Sequence, residues 1–506
     1  MRDKYIELII NYIKEKPGYE QALDDIKKEV LALGANEAEF DEAIRRITGV
    51  TPHTNPQTQI TEQFITQNTI QPDYTNTKEP KIVKKLLELA VGKKNIKLNK
   101  KYVAVIAFVF IFAIIALGAV NFNSKPKNAL VAKTQTQPSN DNGIVPIVYA
   151  SSQPVDADKI FSIKSKNVTL TVSGKPKKEV LGFFPYWMMS KYNEIPLNTL
   201  TSISLFGLDV NAGGNIVTQG SDEASGGWAM WKDPNLDNLI SKARSYGLKV
   251  TLTIKSFNSA DIDALANSDN AQKNLISTVS YLVSSKNLDG VNVDFEYVGN
   301  PSSQTRDGFT RLITNLNSEL KRQNSNATLT VDTYLASGSD NGIFNISALA
   351  LNCDEFVIMG YDMHTPNGDA GPIAAMGGDT NIIGYIQNYL EKVDPSKLIL
   401  AVPYYGYDWP QQKGAGSVKI LPYAQIAEMD QNVKLNWDDV SQTPSFSYKD
   451  DTGTARTVYF DNVRSLGIKY DFINKKNLRG VGIWALGYDG NNQDLEKLLI
   501  DKFINL

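Results

Sequence analysis

The chain is poor in the side chains that build cysteine- or histidine-based sites. Its 506 residues include one cysteine, Cys353, and two histidines, His53 and His364. This scarcity disfavours a disulfide framework, a Cys/His zinc site and a Cys–His nucleophile pair within one chain. Any hydrolytic chemistry would therefore depend on carboxylates, hydroxyls or a metal held by oxygen.

The chain also lacks a marked excess of charge of either sign. Lys and Arg number 52 against 55 Asp and Glu, which leaves a net charge of −3. A surface that binds nucleic-acid phosphates normally needs a basic excess on the folded part, so the sequence predicts no nucleic-acid partner. A chain of 506 residues is too long for one ordinary domain. We expect two or three units, one of them large enough to bury a full core.

Long hydrophobic runs are absent except for one, from Val103 to Val120. A run of about eighteen apolar residues can cross a bilayer as a helix when its flanks are included. Eight lysines lie at 81–101, whereas only Lys125 and Lys127 follow shortly after the run. By the positive-inside rule, the N-terminal part stays in the cytoplasm and the remainder is exported. We expect residues 102–122 to be a single-pass signal anchor in the cell membrane; a buried core helix is the alternative, and cleavage after export stays open.

The rest of the N-terminal third divides by composition. Residues 1–49 show helical periodicity in three short pieces, which predicts a small cytoplasmic helical module whose role the sequence does not indicate. Stretches rich in Thr, Gln, Asn and Pro are typical of flexible tethers. The predicted segments around the anchor are a disordered linker at 50–80, a basic juxtamembrane segment at 81–101, a flexible linker at 123–155 and a short segment at 156–178 that precedes the C-terminal unit.

The C-terminal unit, residues 179–506, alternates short β-branched or apolar runs with amphipathic stretches, which is the βαβα pattern of a parallel sheet. Eight parallel strands in about 330 residues favour an α/β fold of the (β/α)₈ TIM barrel type over an open doubly wound sheet. No GxGxxG loop follows the first strand. The predicted strands are Val180–Pro185, Ser202–Leu208, Lys249–Ile254, Gly290–Tyr297, Thr328–Thr333, Glu355–Tyr361, Leu398–Pro403 and Gly480–Leu486.

One gap between predicted strands, from about Tyr404 to Arg479, exceeds the length of a single helix. Within it, Ser445–Tyr448 and Thr457–Phe460 flank the turn sequence Asp450–Gly453, a pattern typical of a β-hairpin. We therefore expect a small α+β insertion after the seventh strand, at about residues 410–465.

The most informative stretch is the predicted fourth strand, Asp289 to Glu296 (DGVNVDFE). Side chains alternate along a strand, so Asn292, Asp294 and Glu296 share one face, which in a barrel points into the lumen. Two carboxyl groups about 7 Å apart along such a strand cannot both ionise easily, so one stays protonated and can serve as a general acid. Glu296 lies nearest the C-terminal mouth, where barrel active sites form. An exposed polar edge strand is the alternative.

Four motifs carry a resemblance to a known family. The DGVNVDFE stretch resembles the DxxDxDxE signature of family 18 glycoside hydrolases, which include chitinases and endo-N-acetylglucosaminidases. Met359–Asp362 (MGYD) is similar to that family's sixth-strand MxYD, Val402–Gly406 (VPYYG) to its seventh-strand PxYG, and Gly482–Leu486 (GIWAL) to its eighth-strand tryptophan region. The resemblance spans about Val180 to Leu506 and is greatest for the bacterial branch of spore cortex-lytic N-acetylglucosaminidases.

The resemblance implies a retaining, substrate-assisted mechanism. Glu296 would protonate the glycosidic oxygen and later take a proton from water, while the sugar's own 2-acetamido carbonyl attacks the anomeric carbon. Asp294 would orient the acetamide and stabilise the oxazolinium charge, and Tyr361 would hydrogen-bond the acetamide oxygen. The resemblance and the aromatic side chains of predicted loops together indicate further substrate-binding residues: Trp484 as the floor of the sugar site, Asp362, Asn292, Met359, Tyr186, Trp187 and Tyr405. A purely structural hydrogen bond is the alternative for Asp362, and packing without substrate contact is the alternative for the loop aromatics.

One position departs from the family pattern, because Asn292 stands where the signature has its middle acid. Asp294 is then expected to take its hydrogen bond from an amide, which we interpret as tuning, since Glu296 is kept. Loss of Glu296 would have indicated a lectin. A non-hydrolytic, membrane-anchored glycan-binding protein stays the alternative, as does a scaffold that signals through the cytoplasmic helices.

The expected partner is a polysaccharide with β-linked N-acetylglucosamine, peptidoglycan first and chitin oligosaccharides next. No cofactor is predicted, and no metal, because the Asp489–Leu495 run lacks the glycine and the closing glutamate of a calcium loop. His364 either lines the cleft or is a bystander, and Cys353 is expected to be a packed thiol. The linkage, endo or exo action and the oligomeric state are not determined by the sequence.

Overall fold

A computed structural model describes residues 37–48 and 152–505 with short gaps, together with Ile10 and Lys27. The gaps are at 165–169, 171, 173, 220–221, 340–341 and 431–432. The predicted anchor at 102–122, the segments at 50–80 and 81–101, and all but the last four residues of the linker at 123–155 lie outside the described residues. In the part of the chain that is described, no helix is both long and apolar enough to span a bilayer.

The predicted N-terminal module is described mainly in its third helical piece. That piece forms helix α1 (Glu37–Thr48), which buries Phe40 and Ala43. The first two predicted pieces lie outside the described residues, apart from Ile10 and Lys27, which are helical.

The elements of residues 152–505 alternate between strands and helices. The strands are β1 (Glu179–Pro185), β2 (Ser202–Asp209), β3 (Lys249–Ser256), β4 (Gly290–Phe295), β5 (Thr328–Tyr334), β6 (Glu355–Met359), β7 (Leu398–Pro403), β8 (Tyr405–Pro410), β9 (Lys419–Pro422), β10 (Asn436–Asp438), β11 (Thr443–Lys449), β12 (Ala455–Phe460) and β13 (Gly480–Trp484). The helices are α2 (Ala157–Ser162), α3 (Asp222–Lys232), α4 (Asn235–Ser245), α5 (Ser259–Ala266), α6 (Asp269–Ser285), α7 (Ser303–Gln323), α8 (Ile346–Ala350), α9 (Ile382–Leu390), α10 (Tyr423–Asp430), α11 (Val463–Lys475) and α12 (Asp494–Leu499). Short 3₁₀ turns lie at Tyr186–Lys191, Leu335–Ser339 and Pro395–Lys397, and a π-helical turn lies at Ile500–Ile504.

Eight parallel strands close into a barrel in the order β1-β13-β7-β6-β5-β4-β3-β2, which confirms the predicted (β/α)₈ architecture. Strands of such a barrel are covered by helices on one face and by lumen side chains on the other. They therefore consist of nearly continuous apolar runs. β7 (LILAVP) is an example, since all six of its residues are buried.

The barrel helices pack their apolar faces on the outside of these strands. In α7, the hydroxyl of Ser302 caps the first turn by accepting from the backbone N–H of Thr305. The helix buries Phe309, Leu312, Leu316 and Leu320 at helical spacing. Gly308 permits close contact with α5, because a Cβ there would lie 2.1 Å from the carbonyl oxygen of Ala266.

The predicted insertion is a five-stranded antiparallel sheet in the order β10-β11-β12-β8-β9, with helix α10 beside it. The predicted hairpin is confirmed as β11 and β12, which are paired down to Lys449 and Ala455 at the turn. The predicted start at about residue 410 is too late. β7 ends at Pro403 and β8 begins at Tyr405, so a single residue, Tyr404, separates the barrel strand from the insertion.

Candidate active site

β4 places three polar side chains in and just beyond the lumen. Asn292 and Asp294 alternate with the apolar Val291 and Val293, and Glu296 is the first residue after the strand. Asn292 is 1% exposed, Asp294 4% and Glu296 7%. The strand begins at a glycine because a Cβ on Gly290 would lie 2.0 Å from the carbonyl oxygen of Thr328 on β5. The alternation predicted from the sequence therefore puts the carboxyl groups inside the barrel.

A cavity of about 400 Å³ opens at the carboxyl ends of the strands, and we call it the mouth cavity. Its wall contains six of the ten residues predicted for the site: Glu296, Asp294, Tyr361, Asp362, Met359 and Trp484. Residues not predicted for the site also line it, among them Asp332 and Tyr334 of β5, Phe183, Phe206, Tyr385 and Ser152. Three of the four motifs of the sequence thus contribute to one cavity wall, and Val402–Gly406 is the motif that does not.

Burial and neighbouring carboxylates favour the protonated form of Glu296. Loss of solvation raises the pKa of Glu296 well above its ordinary value, and the charges of Asp294, Asp362 and Asp332 raise it further. The pKa of Asp294 is raised by burial to about 7, while the nearby ammonium of Lys255 lowers it. Glu296 is therefore an acid that can donate a proton, and the carboxyl group of Asp294 beside it is favoured in its ionised form by Lys255.

Asn292 does not serve Asp294 as expected. Its amide N–H donates to Asp332 Oδ2 at 2.7 Å, so the predicted amide hydrogen bond to Asp294 is wrong. Thr330 lies opposite Asn292 on β5, and Asp332 is the diagonal neighbour two residues further along, whereas Asp294 lies two residues further along the same strand as Asn292. Asn292 is not part of the cavity wall, and its link to that wall is the hydrogen bond to Asp332.

Asp362 is held by the insertion sheet. The hydroxyls of Tyr405 and Tyr407, both on β8, donate to its Oδ1, the second at 2.8 Å. Asp362 itself has a φ of +57°, a left-handed conformation that is uncommon for a residue other than glycine. Tyr405, predicted to contact substrate, lies outside the cavity wall and reaches the site through Asp362.

Trp484 forms an aromatic wall at the end of β13. Its ring lies 4.5 Å from that of Phe206 and 5.7 Å from that of Phe183, measured between centroids, and it is 4% exposed. Trp187 packs edge-on behind it at 6.3 Å and does not line the mouth cavity. Tyr186 lies against α3, where a Cβ on Gly226 would come within 2.2 Å of its ring, and is not part of the cavity wall either. A sugar contact by Tyr186 or Trp187 stays a prediction.

The histidine and the cysteine of the C-terminal unit, His364 and Cys353, lie in different surroundings. His364 lines the mouth cavity, with its Nδ1 3.0 Å from the carbonyl oxygen of Asp369, which favours the first of its two alternatives. Cys353 is buried, and burial raises the pKa of its thiol to about 12, so the predicted packed thiol is confirmed. Within the ranges that the structure covers, no group of His, Cys, Asp or Glu side chains is arranged to hold a metal ion.

Asp332 is one of the cavity residues that the sequence reasoning missed. β5 carries the same alternation as β4, with Thr330, Asp332 and Tyr334 on one face. This signal was available, but a single acid in a strand of threonines matched no motif. The structure brings Asp332 into the wall beside Asp294 and Glu296.

The chain is similar in sequence and fold to known proteins. A sequence profile for glycosyl hydrolases family 18 matches residues 179–489. The chain is 28% identical over 294 residues to YdhD of Bacillus subtilis, named as a sporulation-specific glycosylase, with 56% of this chain and 66% of that protein covered. It is 25% identical over 270 residues to the cortical fragment-lytic enzyme of the same bacterium, with 50% and 60% covered.

Among solved structures, the C-terminal domain of a protein named as a chitinase, from Desulfitobacterium hafniense DCB-2, is similar with a TM-score of 0.55 and 25% identity. The match covers 64% of this chain and 99% of that domain. The chain spans about two thirds or less of the length of the two curated relatives named above. These findings confirm the resemblance predicted from the four motifs, and the profile match shows that the chain belongs to family 18 of the glycosyl hydrolases.

Proposed function

We propose that the barrel is a retaining, substrate-assisted glycosidase that hydrolyses glycans containing β-linked N-acetylglucosamine. One observation carries the proposal: Glu296, a carboxylic acid whose protonated form is favoured by burial and by neighbouring carboxylates, stands in the wall of a cavity large enough for a sugar ring. An acid in that state can protonate a glycosidic oxygen, and after the sugar leaves it can take a proton from water.

The nucleophile in this proposal is the substrate's own 2-acetamido carbonyl, which attacks the anomeric carbon and forms an oxazolinium ion. Asp294 in its ionised form accepts the acetamide N–H and stabilises the positive charge of that intermediate. The Tyr361 hydroxyl keeps its proton and can donate to the acetamide oxygen, because burial and the carboxylates around it raise its pKa well above the ordinary value. Trp484 offers a flat apolar face to the sugar ring.

Peptidoglycan is the first substrate that we propose, and chitin oligosaccharides are the second. The names of the two curated relatives, a sporulation-specific glycosylase and a cortical fragment-lytic enzyme, support the first. The name of the protein that contains the similar solved domain, a chitinase, supports the second. The wall of the mouth cavity has aromatic, carboxylate and hydroxyl groups that suit an acetylated amino sugar in either polymer.

The test is the release of reducing ends from purified peptidoglycan and from chitin oligosaccharides by the full-length chain in detergent. We expect Glu296→Gln to lower the rate by roughly 10²- to 10⁴-fold, since it removes the general acid. Glu391→Gln is the matched control, because Glu391 is exposed at the end of α9. A wild-type chain that binds these glycans but never cleaves them would support the lectin alternative.

Two further measurements test the mechanism separately from the substrate. Proton NMR of the first product should show the β-anomer if configuration is retained. A polymer of the same linkage without acetyl groups should not be cleaved, because it has no internal nucleophile. Cleavage of that polymer would contradict substrate assistance without touching the role of Glu296.

We also propose, from the sequence alone, that residues 102–122 anchor the chain in the cell membrane with the barrel outside. The support is the apolar run from Val103 to Val120 and the lysines that precede it. Deleting residues 103–120 should move the protein out of the carbonate-washed membrane fraction. Protease added to intact spheroplasts should digest the barrel; protection of the barrel would contradict the orientation.

A further inference from the structure

Asp332 stands at the level of Asp294, on the neighbouring strand. β4 and β5 are paired through Val293 and Val331, so the next residue on each strand is one of these two acids. Adjacent strands lie about 4.8 Å apart, and both side chains point inwards. Both are 4% exposed, and both line the mouth cavity. The two carboxyl groups are thus neighbours in one layer of the lumen, and the charge of Asp294 acts on Asp332.

The hydrogen bonds in this layer leave acceptors in excess. Asn292 donates to Asp332 Oδ2 at 2.7 Å and makes a weak second contact with Thr253 Oγ1 at 3.4 Å. Asp294 Oδ1, Asp332 Oδ1 and Asn292 Oδ1 are buried with no hydrogen-bond partner among the described residues. Buried acceptors without donors are costly, and a proton on one carboxyl group would supply a donor where it is lacking.

The charges around the pair decide which group keeps the proton. Asp294 lies near the ammonium of Lys255, which lowers its pKa, whereas burial and the charge of Asp294 raise the pKa of Asp332 well above its ordinary value. The titratable groups that face the pair are Asp294 and Glu296 from β4 and its end, Tyr334 from β5, Tyr361 and Asp362 after β6, and Lys255 with its partner Asp209 from β3 and β2.

We propose that Asp332 is a positioning residue of the reaction: a neutral carboxylic acid whose O–H donates to Asp294 and so keeps Asp294 ionised and aimed at the acetamido group. The inference rests on the proposed function, because it assigns Asp332 a task in that mechanism. It also explains how the site works with Asn292 in place of an acid, since a proton-bearing carboxyl group is supplied by β5 instead of β4.

The test compares two substitutions that differ in their ability to donate a hydrogen bond. In Asp332→Asn, the amide N–H replaces the acid O–H and the amide oxygen still accepts from Asn292, so turnover should stay within about threefold of wild type. Asp332→Leu has a similar shape but no donor. It should lower turnover roughly 10- to 100-fold and raise the acid limb of the pH–rate profile by about one pH unit, because Asp294 loses a bond that favours its charged form.

The other outcomes would overturn the proposal. If both variants match wild type, Asp332 is a bystander. If Asp332→Asn loses as much activity as Asp332→Leu, the residue works as a carboxylate rather than as a donor. Thermal unfolding of each variant shows whether a loss of activity is a loss of fold.

A readout without catalysis separates this proposal from the proposed function. In protein labelled with ¹³C at aspartate carboxyl groups, the resonance that disappears in Asp332→Asn should keep the chemical shift of a protonated acid at pH 7. An ionised shift there would overturn the inference even if the enzyme is active. A protonated shift in a protein that cleaves no glycan would leave the state of Asp332 intact and refute only the activity.

Discussion

Single carboxyl groups in this barrel take different protonation states because their neighbours differ. Asp294 has a cation nearby, Lys255, whose charge stabilises the ionised form. Glu296 has instead the carboxyl groups of Asp294, Asp362 and Asp332 around it, and any negative charge on them opposes its ionisation. Burial acts on both groups in the same direction, so the sign and placement of the nearby charges separate an acid from a base within one strand.

The pH dependence of activity should follow from these states. The proposed mechanism needs Asp294 ionised and Glu296 protonated, and burial raises the pKa of Asp294 to about 7. Below pH 7, protonation of Asp294 should lower kcat/KM by about tenfold per pH unit. Burial and the surrounding carboxylates raise the pKa of Glu296 well above its ordinary value, so we expect the alkaline limb at a higher pH than an ordinary glutamate would give. A kcat/KM profile measured from pH 4 to 10 checks this.

A lysine substitution tests the origin of the acid limb. Lys255→Met removes the cation that lowers the pKa of Asp294, so the limb should move to higher pH. Lys286→Met is the matched control, because Lys286 also pairs with an aspartate, Asp237, but is not among the charges that act on the pKa of Asp294. A limb that stays in place in Lys255→Met would contradict the assignment to Asp294.

The alternation of side chains along a strand predicted the site residues better than the presence of an aromatic side chain in a loop did. Asn292, Asp294 and Glu296 were placed inside the barrel because a strand alternates and its other face is apolar. The loop aromatics Tyr186 and Trp187 gave no such constraint, since a ring near a strand end can pack inward as readily as it can contact a ligand. The role of a residue such as Asp332, which depends on a partner across a strand pair, requires the register.

At the scale of elements, β8 links the insertion sheet to the site. It follows β7 after a single residue and pairs with β12, so it belongs to the insertion while its two tyrosines reach Asp362. A hydrogen bond to a charged group contributes more than one between neutral groups, about 1.5–3 kcal/mol. The insertion therefore has a task in the site besides its own packing.

Removing both hydroxyls should weaken the site. We expect Tyr405→Phe combined with Tyr407→Phe to lower kcat/KM by roughly 10- to 100-fold, because Asp362 loses two donors that hold it in place. Steady-state kinetics on a soluble chitin oligosaccharide is the measurement.

The control comes from the same sheet. Tyr448 donates to Asp408 at 2.8 Å, a matching tyrosine–aspartate hydrogen bond away from the mouth cavity. Tyr448→Phe should leave kcat/KM unchanged. Wild-type kinetics in the double variant would mean that the two hydroxyls are not needed to hold Asp362 in place.

Most elements could be predicted from the sequence, and the errors have local causes. All eight barrel strands were predicted within a few residues, because continuous apolar runs bounded by polar stretches have few alternatives. The start of the insertion was placed late because β8 continues directly from β7 with no turn residue between them. Helix α3 was not predicted, since its sequence, DEASGGWAMWK, has adjacent glycines and little amphipathic periodicity.

At the scale of the whole molecule, the barrel contains several buried carboxylic acids whose ionisation lowers the free energy of unfolding. Asp294, Glu296 and Asp332 all have a raised pKa in the folded state, first of all because of burial. The unfolded chain ionises them at ordinary values, so stability is greatest below about pH 4 as far as these groups are concerned. It falls as the pH rises through the pKa values of the folded state.

This linkage predicts that Asp294→Asn stabilises the protein while it impairs catalysis. The melting temperature of the barrel should exceed that of wild type at pH 7 and above, and the difference should shrink towards pH 4, where both forms of residue 294 are uncharged. Scanning calorimetry at several pH values is the measurement. Asp307→Asn, an exposed change on α7, should show no such trend. An equal effect in both variants would contradict the linkage.

The two ends of the described C-terminal part leave the barrel at opposite faces. Ser152 lines the mouth cavity, shortly before α2, which docks through the carbonyl of Phe161 on Asn491. At the other end, the carbonyl of Phe503 accepts from the N–H of Lys177, just below the start of β1. For immobilisation on a bead or fusion to a reporter, an attachment after Phe503 therefore leaves the entrance open to an insoluble polymer. A bulky partner joined just before Ser152 would obstruct the entrance of the mouth cavity.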